Sequence, residues 1–114
     1  MSSLWPNFRR NLTVIENSCG YSELDRISQR TLEWVATLKP SALPLYVQAV
    51  ILRCDVASPA SLHKALTTLE RRGLLSIEVD KEDARRRIVT MTPKANELFA
   101  RLSAEVEKMV RGIV

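Results

Sequence analysis

Residues 58–92 constrain this chain more than any other stretch, because they mark both ends of a helix and then change period. Ser58-Pro59 sets a side-chain cap before a residue that lacks an N–H and has its φ preset for a first helical turn. Leu62, Ala65, Leu66 and Leu69 recur at three- and four-residue spacing and form one apolar stripe. Arg71-Arg72-Gly73 closes the helix, since cations suit its negative end and glycine accepts left-handed backbone. Residues 74–79 and 87–91 then read as two short strands, the second carrying β-branched Ile88, Val89 and Thr90. A charged hairpin loop, residues 80–86, lies between them. Thr92-Pro93 repeats the cap-and-proline device and opens a further helix.

The flanking segments are helical in period. Leu4, Trp5, Phe8, Leu12 and Ile15 define a first amphipathic helix within residues 1–20, with Pro6 in its opening turn and Gly20 as its terminator. Ser22 is placed to cap a second helix, and the acidic Glu23 and Asp25 favour its positive end. Leu24, Ile27, Leu32, Val35 and Leu38 carry that pattern to Lys39-Pro40; a break near Ser28 would divide it into two shorter helices. Pro40 and Pro44 bracket a linker, residues 45–53 read as another helix, and residues 55–58 as a turn. Ala95, Leu98, Phe99, Leu102, Val106, Met109 and Val110 mark the apolar face of a terminal helix over residues 92–114. No internal repeat or inter-domain linker interrupts the order, so the expectation is one domain over residues 1–114.

The fold class that follows is mainly α with a small β-hairpin: a winged helix-turn-helix over residues 45–91 with flanking terminal helices. An α-helix fits the major groove of DNA, where base edges are distinguishable, and a basic hairpin beside it can reach backbone or minor groove. Charge supports a polyanionic partner. The net charge is +4, and residues 53–94 hold nine Lys/Arg against six Asp/Glu, whereas the remainder holds eight against seven. Opposite the leucines on the helix of residues 58–72, Ser58, Ser61, His63, Lys64 and Thr67 face outward. Lys64 suits a guanine or phosphate, and Ser58 can cap the helix and touch phosphate together. In the hairpin, Arg85, Arg86 and Arg87 face either solvent or duplex, with Asp80, Glu82 and Asp83 offsetting part of their charge. Strand alternation would turn Arg85 and Arg87 to one face and Arg86 to the other. Arg71 and Arg72 are explained by the helix terminus alone, and Arg53 could touch phosphate.

Other classes are disfavoured by inventory. One histidine, three glycines and two distant cysteines offer no triad, phosphate loop or metal-ligand spacing, so neither an enzyme nor a metal or other cofactor is expected. Cys19 and Cys54 read as reduced thiols. The N-terminus shows no secretory signal, and the longest apolar run is too short for a bilayer, so the expected location is the cytoplasm, with no membrane partner. The rival function is a winged helix used for protein–protein contact, or an accessory DNA-binding module in replication, partition or mobile-element transfer.

The stretch from Ser58 to Gly73, SPASLHKALTTLERRG, with Leu74 after it, resembles the recognition helix of MarR-family transcriptional regulators. That family closes the helix with Leu-Glu-x-x-Gly-Leu, matched by Leu69, Glu70, Gly73 and Leu74. Asp83-Ala84-Arg85 is similar to the family's Asp-x-Arg wing pattern. Thr92 stands where the wing gives way to the next helix through a Leu-Thr pair, with Met91 in place of the leucine. The resemblance spans roughly residues 45–104. It implies sequence-specific binding of double-stranded DNA, with the recognition helix of residues 58–72 in the major groove and the wing of residues 80–87 on backbone or minor groove. It implies that Asp83 steadies the wing by pairing with an arginine while Arg85 approaches DNA. It also implies a homodimer built on Trp5, Phe8, Leu12 and Ile15 with Leu98, Leu102, Val106, Met109 and Val110; packing of the first helix on the last within one chain is the alternative. The helix start is poor in arginine, with Pro59 and Ala60 where longer side chains could reach bases. The chain's shortness relative to typical members argues against a small-molecule effector.

Overall fold

The structure, a computed structural model, describes residues 2–113. In chain order it contains α1 (Leu4–Ser18), a 3-10 turn at Tyr21–Glu23, α2 (Arg26–Thr37), β1 (Leu45–Tyr46), α3 (Val47–Arg53), α4 (Pro59–Arg71), β2 (Leu75–Val79), β3 (Arg87–Met91) and α5 (Pro93–Ile113). The expected terminal spans began at Met1 and ended at Val114, which lie outside the described residues. Two compact units divide the chain: Asp25–Ala95, and the two ends through Leu24 and from Asn96. Among the described residues no helix is long and apolar enough to cross a membrane.

Asp25–Ala95 is the winged-helix unit. Its core is the stripe read from α4, with Leu62, Ala65, Leu66 and Leu69 all buried. α2 packs on α4 through its own buried face, Ser28, Gln29, Thr31, Leu32 and Val35. Buried Val47 and Val50 of α3, Cys54, and Leu74, Leu75, Val89 and Ala95 complete it. Truncating a leucine at such a position costs about 2–5 kcal/mol, from lost transfer energy and the cavity left behind. Two of the polar members are satisfied locally: the Thr31 hydroxyl donates to the Ile27 carbonyl and the Ser28 hydroxyl to Asp25, both at 2.7 Å.

The signals at both ends of α4 act as their chemistry dictates. Ser58 accepts from the Ser61 N–H at 3.3 Å, and Gly73 takes φ +74°. The Lys94 ammonium donates to the Arg72 carbonyl at 2.8 Å, satisfying a backbone acceptor beyond the helix end. Thr92 links two elements: its hydroxyl donates to the Gly73 carbonyl at 2.7 Å and accepts from the Ala95 N–H at 3.1 Å. Cys54 is buried, Cys19 is half-buried, and they form no disulfide.

Three details differ from the sequence expectation. The second helix is capped by Asp25 and not by Ser22, which falls within the 3-10 turn. The Asp25 carboxylate accepts from both the N–H (3.0 Å) and the hydroxyl (2.7 Å) of Ser28, two bonds to a charged acceptor. Ser28 is therefore part of the helix start, and α2 runs to Thr37 without a break. The third difference is at residues 45–53. Leu45 and Tyr46 are extended and pair antiparallel with Val89 and Ile88, so the sheet has three strands in the order β1-β3-β2, and α3 begins only at Val47. A partner more than forty residues away is invisible to local periodicity.

In the other unit, α1 ends at Ser18 with Cys19 as its cap, and Gly20 reverses the chain at φ +75°. Tyr21 and Leu24 are buried, and the Tyr21 ring meets the edge of Phe99 on α5 at a centroid distance of 6.0 Å. No residue of α1 is buried, and Trp5 (65% exposed) stacks on Phe8 at 6.0 Å.

Candidate nucleic-acid interface

The exposed face of α4 follows from its buried one. With Leu62, Ala65, Leu66 and Leu69 inward, 100° per residue places Ala60, Lys64, Thr67 and Arg71 along the opposite line. Lys64 and Thr67 were expected there. Arg71 belongs to the same stripe; its place at the helix terminus had sufficed to explain it. The hydroxyls on this helix are partly committed. Thr67 donates to the His63 carbonyl (3.1 Å) and Thr68 to the Lys64 carbonyl (3.0 Å), so each presents an acceptor oxygen and a methyl outward from that bond. Ser58 donates to the Ser61 hydroxyl at 3.1 Å, which ties these two to the helix start.

The wing loop is folded by its aspartates. Asp80 accepts from the Glu82 N–H and Asp83 from the Arg85 N–H, both at 3.0 Å, which are local turns made by short carboxylates. Asp80 N–H to the Arg86 carbonyl (2.9 Å) closes the loop beneath the strands. Asp83 also receives the Arg85 side chain in bidentate form, Nε to Oδ1 at 3.1 Å and Nη2 to Oδ2 at 3.2 Å, and the Arg86 Nε lies 3.3 Å from the same Oδ2. The Arg85 side chain and backbone N–H, then Arg86, hold the Asp83 carboxyl below the usual carboxylate range. Arg85 remains 89% exposed despite this pairing.

His63 does not share the outermost line of α4. It is turned toward a cleft of about 480 Å³ bounded by Tyr46, Gln48, Ile51 and Leu52 on one side and by Arg85, Arg86 and Arg87 on the other. All three arginines border this cleft. β3 begins at Arg87, so Arg85 and Arg86 are still in the loop, where strand alternation does not apply. Tyr46 and Gln48 carried no sequence signal for this place, since their segment reads as helix and only the β1–β3 pairing brings it to the wing. Among the described residues no group of three or more His, Cys, Asp or Glu could hold a metal ion.

A helix-turn-helix followed at once by a two-stranded hairpin, with a third short strand bracing it, defines a winged helix. The comparison with solved structures agrees. MepR from Staphylococcus aureus, solved in complex with DNA, superposes over 100% of this chain and 83% of its own, with TM-score 0.77 and 16% identity. YusO from Bacillus subtilis covers 99% of this chain and 74% of its own (TM-score 0.73, 14% identity). MarR from Staphylococcus aureus, solved with salicylate and kanamycin, covers 98% and 71% (TM-score 0.64, 21% identity). The chain therefore has the winged-helix fold of MarR-family structures. No protein-family model matches the sequence, and no curated protein matches it.

Proposed function

We propose that this chain is a small, non-enzymatic transcriptional regulator that binds double-stranded DNA in a sequence-specific way. The observation that carries the reading is the exposed stripe of Lys64, Thr67 and Arg71 on α4 beside a wing bearing Arg85, Arg86 and Arg87, all within one compact unit. In this reading α4 enters the major groove, where Lys64 meets acceptor-rich base edges or phosphate and Thr67 meets a thymine methyl or an amino donor. Ser58 and Ser61 at the helix start lie toward phosphate, where the positive end of the helix adds to the attraction. His63, Arg85 and Arg87 line the path of the backbone, and Asp83 holds the wing. The DNA complex of MepR, a protein of the same fold, supports the assignment.

The reading includes a homodimer and a cytoplasmic location. α1 buries nothing, Trp5, Leu4 and Val14 are more than half exposed, and Val110 on α5 is 46% exposed. Phe8, Leu12, Ile15, Leu98, Leu102, Val106 and Met109 are only half-buried. A second copy of the chain covers these faces, and its symmetry sets two half-sites about one helical turn apart.

Selection of binding sites from a random duplex pool tests this directly. Enrichment of a palindromic sequence with half-sites spaced at about 10 base pairs is the expected outcome. A pool that remains unenriched after repeated rounds would shift the assignment to a protein partner.

A further inference from the structure

Of the three neighbouring arginines, Arg86 differs in what it touches. Its guanidinium lies over the Tyr46 ring, 5.1 Å from the centroid, and its Nε lies 3.3 Å from Asp83. The Tyr46 hydroxyl in turn donates to Asp80 at 3.3 Å, at the first residue of the wing loop. The Arg86 backbone closes the same loop, its carbonyl accepting from Asp80 and its N–H donating to the Asp83 carbonyl. Tyr46 is the residue of β1 that pairs with Ile88 and immediately precedes α3. These contacts make a closed circuit from the base of the wing to the strand that leads into the helix-turn-helix.

We propose that Arg86 acts through Tyr46 and not on DNA: the pair is a clamp that fixes the wing relative to α3 and α4, and Tyr46 is its positioning residue. The inference rests on the DNA-binding reading for its consequence. A guanidinium stacked on a ring and paired with Asp83 has its planar face and one edge occupied, which leaves less of it for phosphate. The pKa of Arg86 is pushed up, first by Tyr46 and then by Asp83 and Asp80. A wing ordered before DNA arrives does not have to be ordered by binding, and affinity rises accordingly. Arg85 and Arg87 are then presented at fixed positions by a part that does not itself touch the duplex.

The test is a double-mutant cycle of Arg86→Ala and Tyr46→Leu, read as affinity for a random-sequence duplex of about two helical turns over a series of salt concentrations. Tyr46→Leu removes the ring and keeps an apolar side chain, while Tyr46→Phe keeps the ring and drops only the hydroxyl. For the clamp, each single change weakens binding about twofold to fivefold, the double change is no worse than the weaker single, and Tyr46→Phe, which keeps the ring under Arg86 but loses the bond to Asp80, binds between the unmodified protein and Tyr46→Leu. Additive losses would overturn the proposal. So would an Arg86→Ala effect that lowers the salt slope by about one phosphate contact while Tyr46→Leu leaves binding unchanged. Hydrogen exchange at the Asp80 and Arg86 amides separates this from a failure of the functional reading. If the unmodified protein does not bind DNA, that reading fails, while faster exchange in Tyr46→Leu still supports the clamp and unchanged exchange rules it out.

Discussion

At the scale of single residues, short polar side chains decide where helices start. Asp25 and Ser22 are both acceptable caps in sequence, and the carboxylate prevails because it takes two bonds from Ser28 where a hydroxyl would take one. The Ser28 hydroxyl and then its N–H lower the pKa of Asp25, with Lys64 adding to the effect. A carboxyl whose folded pKa lies below its unfolded value stabilises the fold above the unfolded value, about 3.9, and loses that contribution as the pH falls through the folded one. Asp25→Ala should therefore cost about 1 kcal/mol at neutral pH, modest because the carboxylate is exposed. The gap from the unmodified protein should close below about pH 4. Denaturant midpoints from pH 7 to strongly acid pH would show it. A gap that persists unchanged at low pH would mean that the charge of Asp25 plays no part.

Between elements, one hydroxyl ties the junction of α4, β3 and α5, beside the bond from Lys94 to the Arg72 carbonyl. Thr92 donates to Gly73 and caps α5 at Ala95, so Thr92→Val should leave two backbone groups short of partners. The expected loss is about 1–3 kcal/mol, seen as a fall in Tm of roughly 4–8 °C per kcal/mol, with Thr92→Ser close to the unmodified protein. A Thr92→Val variant that melts with the unmodified protein while Thr92→Ser melts lower would show that the β-branch, and not the hydroxyl, matters. This junction was legible in the sequence because caps, prolines and glycines are local devices; Ser58-Pro59, Gly73 and Thr92-Pro93 needed no knowledge of the fold. The surroundings of Tyr46 were not legible. Its extended conformation accompanies the pairing of Leu45 and Tyr46 with the free edge of β3, a partner that no local pattern around Tyr46 reveals. The cleft that gathers Gln48, His63 and the wing arginines was hidden for the same reason. The outward stripe of α4 was half legible: helical spacing gave Lys64 and Thr67, while the terminal position of Arg71 had an electrostatic explanation sufficient to obscure its shared face.

For the whole molecule, the unburied α1 and the half-buried face of α5 leave apolar surface that a second copy would cover. Trp5 and Val110 are exposed within one chain, so replacing both with glutamate removes little from its own packing. The doubly substituted protein should sediment at the chain mass and the unmodified protein at twice that mass. If both sediment at the chain mass, the helices do not form a dimer interface. A monomer would also contact only one half-site, so its affinity for a palindromic duplex should fall far more than its affinity for a single half-site.

Binding of duplex DNA by α4 and the wing together has its sharpest readout in the salt dependence of affinity. Binding should weaken linearly in log–log form as salt rises, and changing Lys64, Arg85 and Arg87 together to alanine should lower both the affinity and the slope. Each lost phosphate contact removes about 0.9 from that slope, so a reduction of roughly 2–3 is expected if all three meet the backbone, less if Lys64 reads a base. A triple variant with unchanged slope and affinity would mean that α4 and the wing do not bind DNA, and would place any DNA-binding surface elsewhere on the protein.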